Sequence, residues 1–348
     1  MILTYKYRVK DGTKKDLLKG LAGHVNFVWN YTNNIIKRSW KESRKYTTKK
    51  DINPLVKGSS KLLNINSQTV QATAYECLLR TKKAKKHLRF RTGKKNLGWI
   101  PFNGQTVKFH GSYIDYNGFR FRLWEHRKLP KAAVLKTGSF SEDARGRWYV
   151  NLTFEAPDEN TEKSPQGTSV GIDPGVKTVL TTSDGEKFER DNLTKKYAGK
   201  LAQTQRRGKK KQAKTIHAKI RNSRKDFNHK VSLNLAQRYQ TIFFGDAGSK
   251  NLAKTRMAKG VTDSSWYEIK TFLRYKTMRR GGRMLEISER NSTITCSSCL
   301  EKTGPSGLSD LGVREWTCCA CGQQHDRDTN AAKNILRLGH ETLKALAC

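Results

Sequence analysis

The chain has 348 residues, with 69 Lys and Arg against 30 Asp and Glu, a formal net charge of +39. That length suits two or three domains with cores of their own, and so large a positive excess goes well beyond what solubility needs, so a nucleic acid is the expected partner. No apolar run approaches the ~20 residues of a membrane-spanning helix, and the first residues alternate like a strand instead of forming a signal peptide's apolar core, so no membrane partner is expected and the expected setting is a reducing bacterial or archaeal cytoplasm, associated with the nucleoid.

Residues 1–10 read as a strand, with Leu3, Tyr5, Tyr7 and Val9 on one face. Residues 13–90 read as helices. Leu17, Leu18, Leu21, Val25, Val28, Trp29, Ile35 and Ile36 make one apolar stripe, and a second helix starts near Ser67 and carries Val70, Ala74, Cys77 and Leu78. That helix runs into Lys82, Lys83, Lys85 and Lys86, a basic end left for phosphates. Between 97 and 156 the pattern turns to β: Thr106–Phe109, Tyr113–Tyr116, Phe119–Leu123 and Trp148–Phe154 alternate, and Asn117-Gly118 signals a hairpin turn. The expected fold is a small antiparallel barrel, completed by the first strand, with the helices inserted as an excursion. Trp29, Trp40 and Trp99 are expected in cores before they are expected to stack on bases.

A polar segment, 157–168, forms the main expected domain boundary. After it, Ser169–Asp173 reads as a short buried strand, Thr178–Thr182 returns as a second, and Lys187–Glu189 begins a third. Residues 195–240 are helical and basic, with Arg206, Arg207, Lys209, Lys210 and Lys211 placed to track a phosphate backbone and Gly208 placed to break the helix into a hairpin. Gln240–Asp246 is a fourth strand, 263–279 a helix, Arg283–Glu289 a fifth strand, and Asp328–Leu338 a closing helix. Three antiparallel strands, helix, strand, helix, strand, helix is the order of an RNase H-like fold.

Two constellations carry chemistry. Cys296-x2-Cys299 and Cys318-x2-Cys321 are two knuckles of a zinc ribbon, each offering two thiolates from one tight turn. A closed four-cysteine shell is structural, so one zinc ion is expected there without a catalytic part. Cys319 breaks the two-residue spacing, and Cys348 is uninformative. The second constellation is a set of scattered acids at strand ends and at a helix start. Phosphodiester cleavage by two metal ions ~4 Å apart needs carboxylates converging from separate elements. Asp173 ends the first strand of the second half, and Asp328 opens the last helix. Each also has a plainer reading, a Pro-Gly turn at Asp173 and a helix cap at Asp328.

Gly171-Ile172-Asp173-Pro174-Gly175, Arg224-Lys225-Asp226-Phe227-Asn228-His229-Lys230, the two cysteine knuckles, and Asp326-Arg327-Asp328-Thr329-Asn330-Ala331-Ala332 together resemble the TnpB family. These are transposon-encoded RNA-guided DNA endonucleases, related to type V CRISPR effectors and to Fanzors. The resemblance is specific from about residue 169 onward and architectural before it. It implies an α+β multidomain chain: an N-terminal β-barrel wedge over 1–12 and 95–158, an inserted helical recognition lobe over 13–94, an RNase H-like (RuvC) α/β nuclease domain over 168–292 and 323–348, and an inserted zinc ribbon over 293–322. It further implies a guide RNA from the transposon end and cleavage of double-stranded DNA beside a short flanking motif, with two catalytic magnesium ions; the oligomeric state is left open by the sequence, with a monomer favoured. By the spacing to Asn330, Asp328 matches the family's catalytic position. One departure stands out. The family's second motif carries Glu at the end of the fourth strand, where this chain has Asp246. Asp246 serves as a shorter carboxylate, or the chain is a nuclease-inactive guided repressor, or another acid has taken the role. Glu289, at the end of the neighbouring strand and ~5 Å away across the sheet, is the favoured third ligand with Asp173 and Asp328, and Asp246 is a possible helper. This relocated-glutamate arrangement resembles a subset of the family. A transposase that joins DNA ends would use a similar acidic triad and remains the other enzymatic reading.

Overall fold

The computed structural model describes all residues except 1, 13, 128, 130–131, 158–163, 247–257, 307–308 and 348. The central part of the expected linker, 158–163, and Cys348 therefore lie outside the described residues. The chain divides into two compact units, Met1–Asp158 and Glu159–Cys348.

The first unit begins with β1 (Ile2–Val9), followed by α1 (Lys15–Ser43), α2 (Lys49–Val56), α3 (Ser59–Leu63) and α4 (Ser67–Ala84). Its remaining strands are β2 (Trp99–Asn103), β3 (Val107–Phe109), β4 (Tyr113–Tyr116), β5 (Phe119–Trp124), β6 (Val134–Glu142) and β7 (Trp148–Glu155). Strict alternation in β7 buries Trp148, Val150, Leu152 and Phe154 on one face, as a half-buried strand should. The stripe of α1 (Leu18, Leu21, Val25, Val28) and Val70 and Ala74 of α4 close over the same core. A hydrogen bond of 2.7 Å between Thr69 Oγ1 and the Tyr116 hydroxyl ties α4 to β4 inside it.

The sheet runs β2-β6-β7-β1-β5-β4-β3. Its edge strands β2 and β3 are consecutive in the chain, separated only by the 3-10 turn Gly104–Thr106. So short a connection reaches at most roughly 14 Å, which forces the sheet to curl until its edges approach. Among the described residues no ladder joins those edges, and the expected small antiparallel barrel is here a curled antiparallel sheet. Two of its strands carry little sequence signal. Strand β2 contains Pro101, and β6 buries only Phe140 among its nine residues. Helix α4 ends with Lys85 at φ 50°, and Lys82, Lys83, Lys85 and Lys86 are all exposed.

The second unit contains β8 (Ser169–Asp173), β9 (Leu180–Thr182), β10 (Lys187–Phe188), α5 (Leu193–Lys196), α6 (Ala198–Arg206), α7 (Lys210–Arg238) and β11 (Thr241–Asp246). It continues with α8 (Ala258–Ser264), α9 (Trp266–Arg279), β12 (Arg283–Ser288), the hairpin β13 (Glu315–Thr317) and β14 (Gln324–Asp326), and α10 (Arg327–Ala347). The five-stranded sheet has the order β10-β9-β8-β11-β12. Strands β8, β11 and β12 run parallel, and β9 runs antiparallel to both of its neighbours, β8 and β10. Gly208, at φ 62°, turns α6 into α7, and Arg206, Arg207, Lys209, Lys210 and Lys211 around it are exposed.

The sheet is covered on both faces, which is why β8 and β11 read as continuous apolar runs. Ile242 and Phe244 of β11 pack with Val231 and Leu235 of α7 and with Ile269 and Leu273 of α9. Phe243, on the opposite face, packs with Ile287 and with Ile335 of α10. Two glycines let α10 lie close. A β-carbon on Gly171 would sit 2.1 Å from the Ala332 carbonyl oxygen, and one on Gly339 would sit 2.2 Å from the Phe243 ring. Gly171→Ala is therefore expected to cost about 3 kcal/mol by overpacking a backbone-to-backbone contact, read as a lower urea midpoint; an unchanged midpoint would mean that α10 does not rest on β8.

Candidate metal centres and carboxylate cleft

In parallel strands the carboxyl ends share one edge of the sheet, the usual place for a site in an open α/β sheet. Asp173 ends β8, Asp246 ends β11, and Glu289 follows β12 directly. Side chains of a strand alternate between faces, so these three acids do not all point the same way. Asp173 shares the parity of Gly171 and Glu289 that of Ile287, both on the face that α10 covers. Asp246 shares the parity of Ile242 and Phe244, the face of α7 and α9. The position at the end of β11 that faces the α10 side is Gly245, not Asp246.

That glycine decides the geometry. Strand β12 neighbours β11 but lies two strands from β8, about 10 Å away. The carboxylate of Glu289 spans this gap by lying over Gly245, where an added β-carbon would meet Glu289 Oε1 at 2.2 Å. Asp173, Glu289 and Asp328 then line one cleft of about 720 Å³, with Arg190, Asp263, Arg314 and Arg327 also on its walls. Asp246 is not among the lining residues.

Burial, then the neighbouring charge of Asp328, pushes the Asp173 carboxyl up to about 7, against a smaller opposite pull from Arg327 and Arg314. Burial, then Asp173 and Asp246, pushes Glu289 up to about 8. Glu289 Oε1 is buried and makes no hydrogen bond. Two acids raised by burial and by neighbouring carboxylates, Asp328 beside Asp173 and Asp173 beside Glu289, one with an orphaned oxygen, form a donor set that fits a hard divalent cation. They are not drawn into one tight cluster. Among the described residues the four cysteines are the one group close enough to share an ion. Asp328 is instead held by Arg314, whose Nη1 donates to Oδ1 at 3.1 Å and Oδ2 at 3.2 Å. The guanidinium thus pairs with both oxygens of the carboxylate.

Asp328 is not the cap of α10. Asp326 takes that part, accepting from Thr329 N at 2.9 Å and Thr329 Oγ1 at 2.8 Å, and it also pairs with Lys187 at 2.7 Å. These hydrogen bonds hold the Asp326 carboxyl below its usual range in spite of burial. The plainer reading of Asp328 as a helix cap therefore falls to its neighbour.

The four cysteine Sγ atoms lie within 4.8 Å of one another, with Cys296–Cys321 at 3.8 Å and Cys299–Cys318 at 3.6 Å. A tetrahedral zinc with Zn–S bonds of ~2.3 Å needs edges of about 3.8 Å, so the cluster suits zinc. Cys319 is exposed and stands outside it. Sequence reading missed the outer hydrogen bonds, namely Thr303 Oγ1 donating to Cys318 Sγ at 3.0 Å and His325 Nε2 3.1 Å from Cys296 Sγ. It also missed Arg314 and Gly245, because neither belongs to a recognisable local pattern. The Arg224–Lys230 motif proves to be part of a buried polar network. Asn228 Nδ2 donates to Ser265 Oγ at 2.8 Å and to Glu268 Oε2 at 2.7 Å, and Arg224 pairs with Asp263 at 3.4 Å.

Comparison with known proteins follows the same division. Residues 151–256 match the OrfB_IS605 family model, described as Probable transposase, and residues 266–335 match the Cas12f1-like TNB domain. A protein of Streptomyces pristinaespiralis, provisionally named an RNA-guided DNA endonuclease, is 35% identical over 64% of this chain and 56% of its own length. Its Escherichia coli K12 counterpart InsQ, likewise provisionally named, is 29% identical over 60% of this chain and 58% of its own length. TnpB-like protein L770 of Acanthamoeba polyphaga mimivirus is 25% identical over 68% and 50%. The chain thus spans about half the length of the curated relatives it matches. A solved Cas12f1-sgRNA-target DNA complex has the same fold, with a TM-score of 0.63 at 12% identity, over 92% of this chain and 82% of that one.

Two measurements check the centres. Cys296→Ser and Cys318→Ser should purify without stoichiometric zinc and Cys319→Ser with it, by elemental analysis. For the carboxylates, the folded chain holds protons that the unfolded chain has released above 3.8 and 4.5. The stability this gives is whole below those values and is lost as pH rises through about 7 and about 8. Glu289→Gln should accordingly unfold at a higher temperature than the parent near about pH 9 in magnesium-free buffer, with the margin shrinking toward about pH 5. A margin equal at both ends would mean that Glu289 is not held protonated.

Proposed function

The chain is related to the TnpB family, and we propose that it is an RNA-guided DNA endonuclease that cuts double-stranded DNA beside a short flanking motif. The observation that carries the reading is the convergence of Asp173, Glu289 and Asp328 on one basic-walled cleft, in a chain of +39 net charge. In this reading the second unit is an RNase H-like nuclease domain interrupted by a zinc ribbon. The curled sheet of the first unit is the wedge, and α1–α4 are its inserted recognition lobe. The guide is an RNA transcribed from the transposon end, and base pairing supplies sequence specificity while the protein reads duplex shape and the flanking motif. The exposed sets Lys82, Lys83, Lys85, Lys86 and Arg206, Arg207, Lys209, Lys210, Lys211 follow phosphates of guide or heteroduplex.

Asp173, Glu289 and Asp328 would hold two magnesium ions. When bound, these ions activate water and stabilise the departing oxygen of an in-line displacement. The chain's own residues prepare that chemistry. Asp173 and Glu289, raised by burial and by the acids beside them, would favour a bound cation, which offsets both penalties. Arg314 orients Asp328, and its guanidinium would also suit a substrate phosphate. Gly245 keeps the path of Glu289 open. The neutral linkage between Asp326 and Lys187 holds the first turn of α10 in place. Asp246, on the other face, is a helper at most.

The test is cleavage by the chain copurified with RNA expressed from its native flanking DNA, offered a matching target beside a randomised flank. Asp173→Ala, Glu289→Ala and Asp328→Ala should each lower magnesium-dependent cutting at least about 100-fold, since metal-borne stabilisation is worth several kcal/mol and ~1.4 kcal/mol is tenfold. Asp246→Ala should retain most activity. Cutting that survives Glu289→Ala and is lost in Asp246→Ala would reverse the choice of third ligand. Guide-dependent binding without cutting would make the chain a guided repressor, and joining of DNA ends would make it a transposase.

A further inference from the structure

The segment that leaves Glu289 is also the segment that enters the cysteine cluster. Ser292 N donates to the Glu289 carbonyl at 3.0 Å, Thr295 N donates to the Asn291 carbonyl at 3.1 Å, and Cys296, the first thiolate, follows at once. Two side chains on successive turns of α10 grip this segment. Asn330 Oδ1 accepts from Ser297 N at 2.8 Å, and its Nδ2 donates to the Thr295 carbonyl at 2.8 Å and the Ser292 carbonyl at 3.4 Å. Asn334 Nδ2 donates to the same two carbonyls, at 2.6 Å and 2.9 Å. Both asparagines are only 1% exposed. Buried amides that satisfy buried backbone groups are costly to remove and hold their partners in one geometry.

The other end of the ribbon reaches α10 through the chain itself. Cys318 and Cys321 lie between β13 and β14, and β14 passes directly into α10. Arg327 N donates to the Arg314 carbonyl at 2.7 Å, which sets the residue that grips Asp328. The cysteine cluster is therefore tied on one side to the turn that carries Glu289 and on the other to the helix that carries Asp328. Asn330 and Asn334 are the cross-link between the two sides.

We propose that Asn330 and Asn334 are positioning residues that fix Glu289 and Asp328 relative to each other and couple occupancy of the cysteine cluster to cation binding in the carboxylate cleft. The proposal rests on the endonuclease reading for its rate consequences, but the coupling itself is readable without cutting. Neither asparagine touches the cleft, whose lining omits both. Each acts through the backbone of residues 292–297 and through α10.

The experiment uses the full chain copurified with its RNA. In Asn330→Ala and Asn334→Ala, zinc content should stay stoichiometric, because all four thiolates remain. The magnesium concentration for half-maximal cutting should rise on the order of tenfold, as for other residues that orient metal ligands, with the rate at saturating magnesium largely recovered. Binding of manganese, followed by its electron paramagnetic resonance signal, should weaken by the same factor whether or not the chain cuts. Asn330→Asp keeps the acceptor for Ser297 N but loses the donor, and should shift in the same direction. A magnesium and manganese requirement equal to the parent's, even with a lower unfolding temperature, would overturn the proposal and leave the asparagines as packing alone. If the alanine variants fail to fold, the parent supplies the test. Coupling of affinities is reciprocal, so saturating manganese should raise the zinc affinity, read by equilibrium competition with a zinc-selective chelating dye, by about the same factor that zinc raises the manganese affinity. An unchanged zinc affinity would overturn the proposal. A parent that binds manganese with this coupling but does not cut would defeat the endonuclease reading and leave the coupling standing.

Discussion

The second unit depends on one electrostatic constraint: acids buried near each other at the carboxyl edge of a parallel sheet. The interior raises the cost of each charge, and each charge raises the cost of the next. Asp173 and Glu289 respond by holding protons up to about 7 and about 8. Charge on such a set of carboxylates is costly, and a bound cation would offset that cost. Asp328 escapes the same cost by leaning on Arg314, and Asp326 by its pairing with Lys187 and the first turn of α10.

The sheet meets this constraint through side chains it lacks. Gly171 and Gly339 allow α10 to rest directly on β8 and β11, which brings Asp328 beside Asp173. Gly245 leaves the space in which Glu289 crosses a whole strand. In each case a methyl group would displace a carboxylate or the helix that carries one. The cysteine cluster contributes at the other end, since the hairpin it closes leads straight into α10. A ribbon of so few residues has little core to hold it, and metal ligation by the four cysteines would supply the missing stability.

The first unit solves a different problem, keeping a strongly basic surface around a dry core. Its interior is aromatic and aliphatic, from Tyr7 and Phe121 through Phe140 to Phe154, while the lysines at the end of α4 stay in solvent. Aromatic rings near cations recur at its surface, as with Arg120 over Tyr113 at 4.0 Å and Lys10 over Trp124 at 4.8 Å. Trp29 is buried within the helices, as expected of it. The exposed charge repels itself, and a bound polyanion would offset that repulsion.

The sequence by itself determined the local features. Alternation marked β1 and β7, continuous apolar runs marked β8 and β11, glycine placed the break between α6 and α7, and cysteine spacing marked a metal cluster whose four sulfurs do lie together. It left β2 and β6 unseen, because a proline and a mostly exposed face erase the period of two. It proposed a small antiparallel barrel, and the structure has a curled antiparallel sheet whose edge strands share a turn. Of the candidate site, residue types and order along the chain were legible, but facing was not. Whether Asp246 or Glu289 looks toward Asp173 depends on the parity of each strand against a helix some eighty residues away in sequence. Only the tertiary structure decided that α10 covers the face of Gly171, Gly245 and Ile287, and so which acids share a cleft. The physical reason is that periodicity tells which residues share a face of one element, while packing between distant elements alone tells what that face meets.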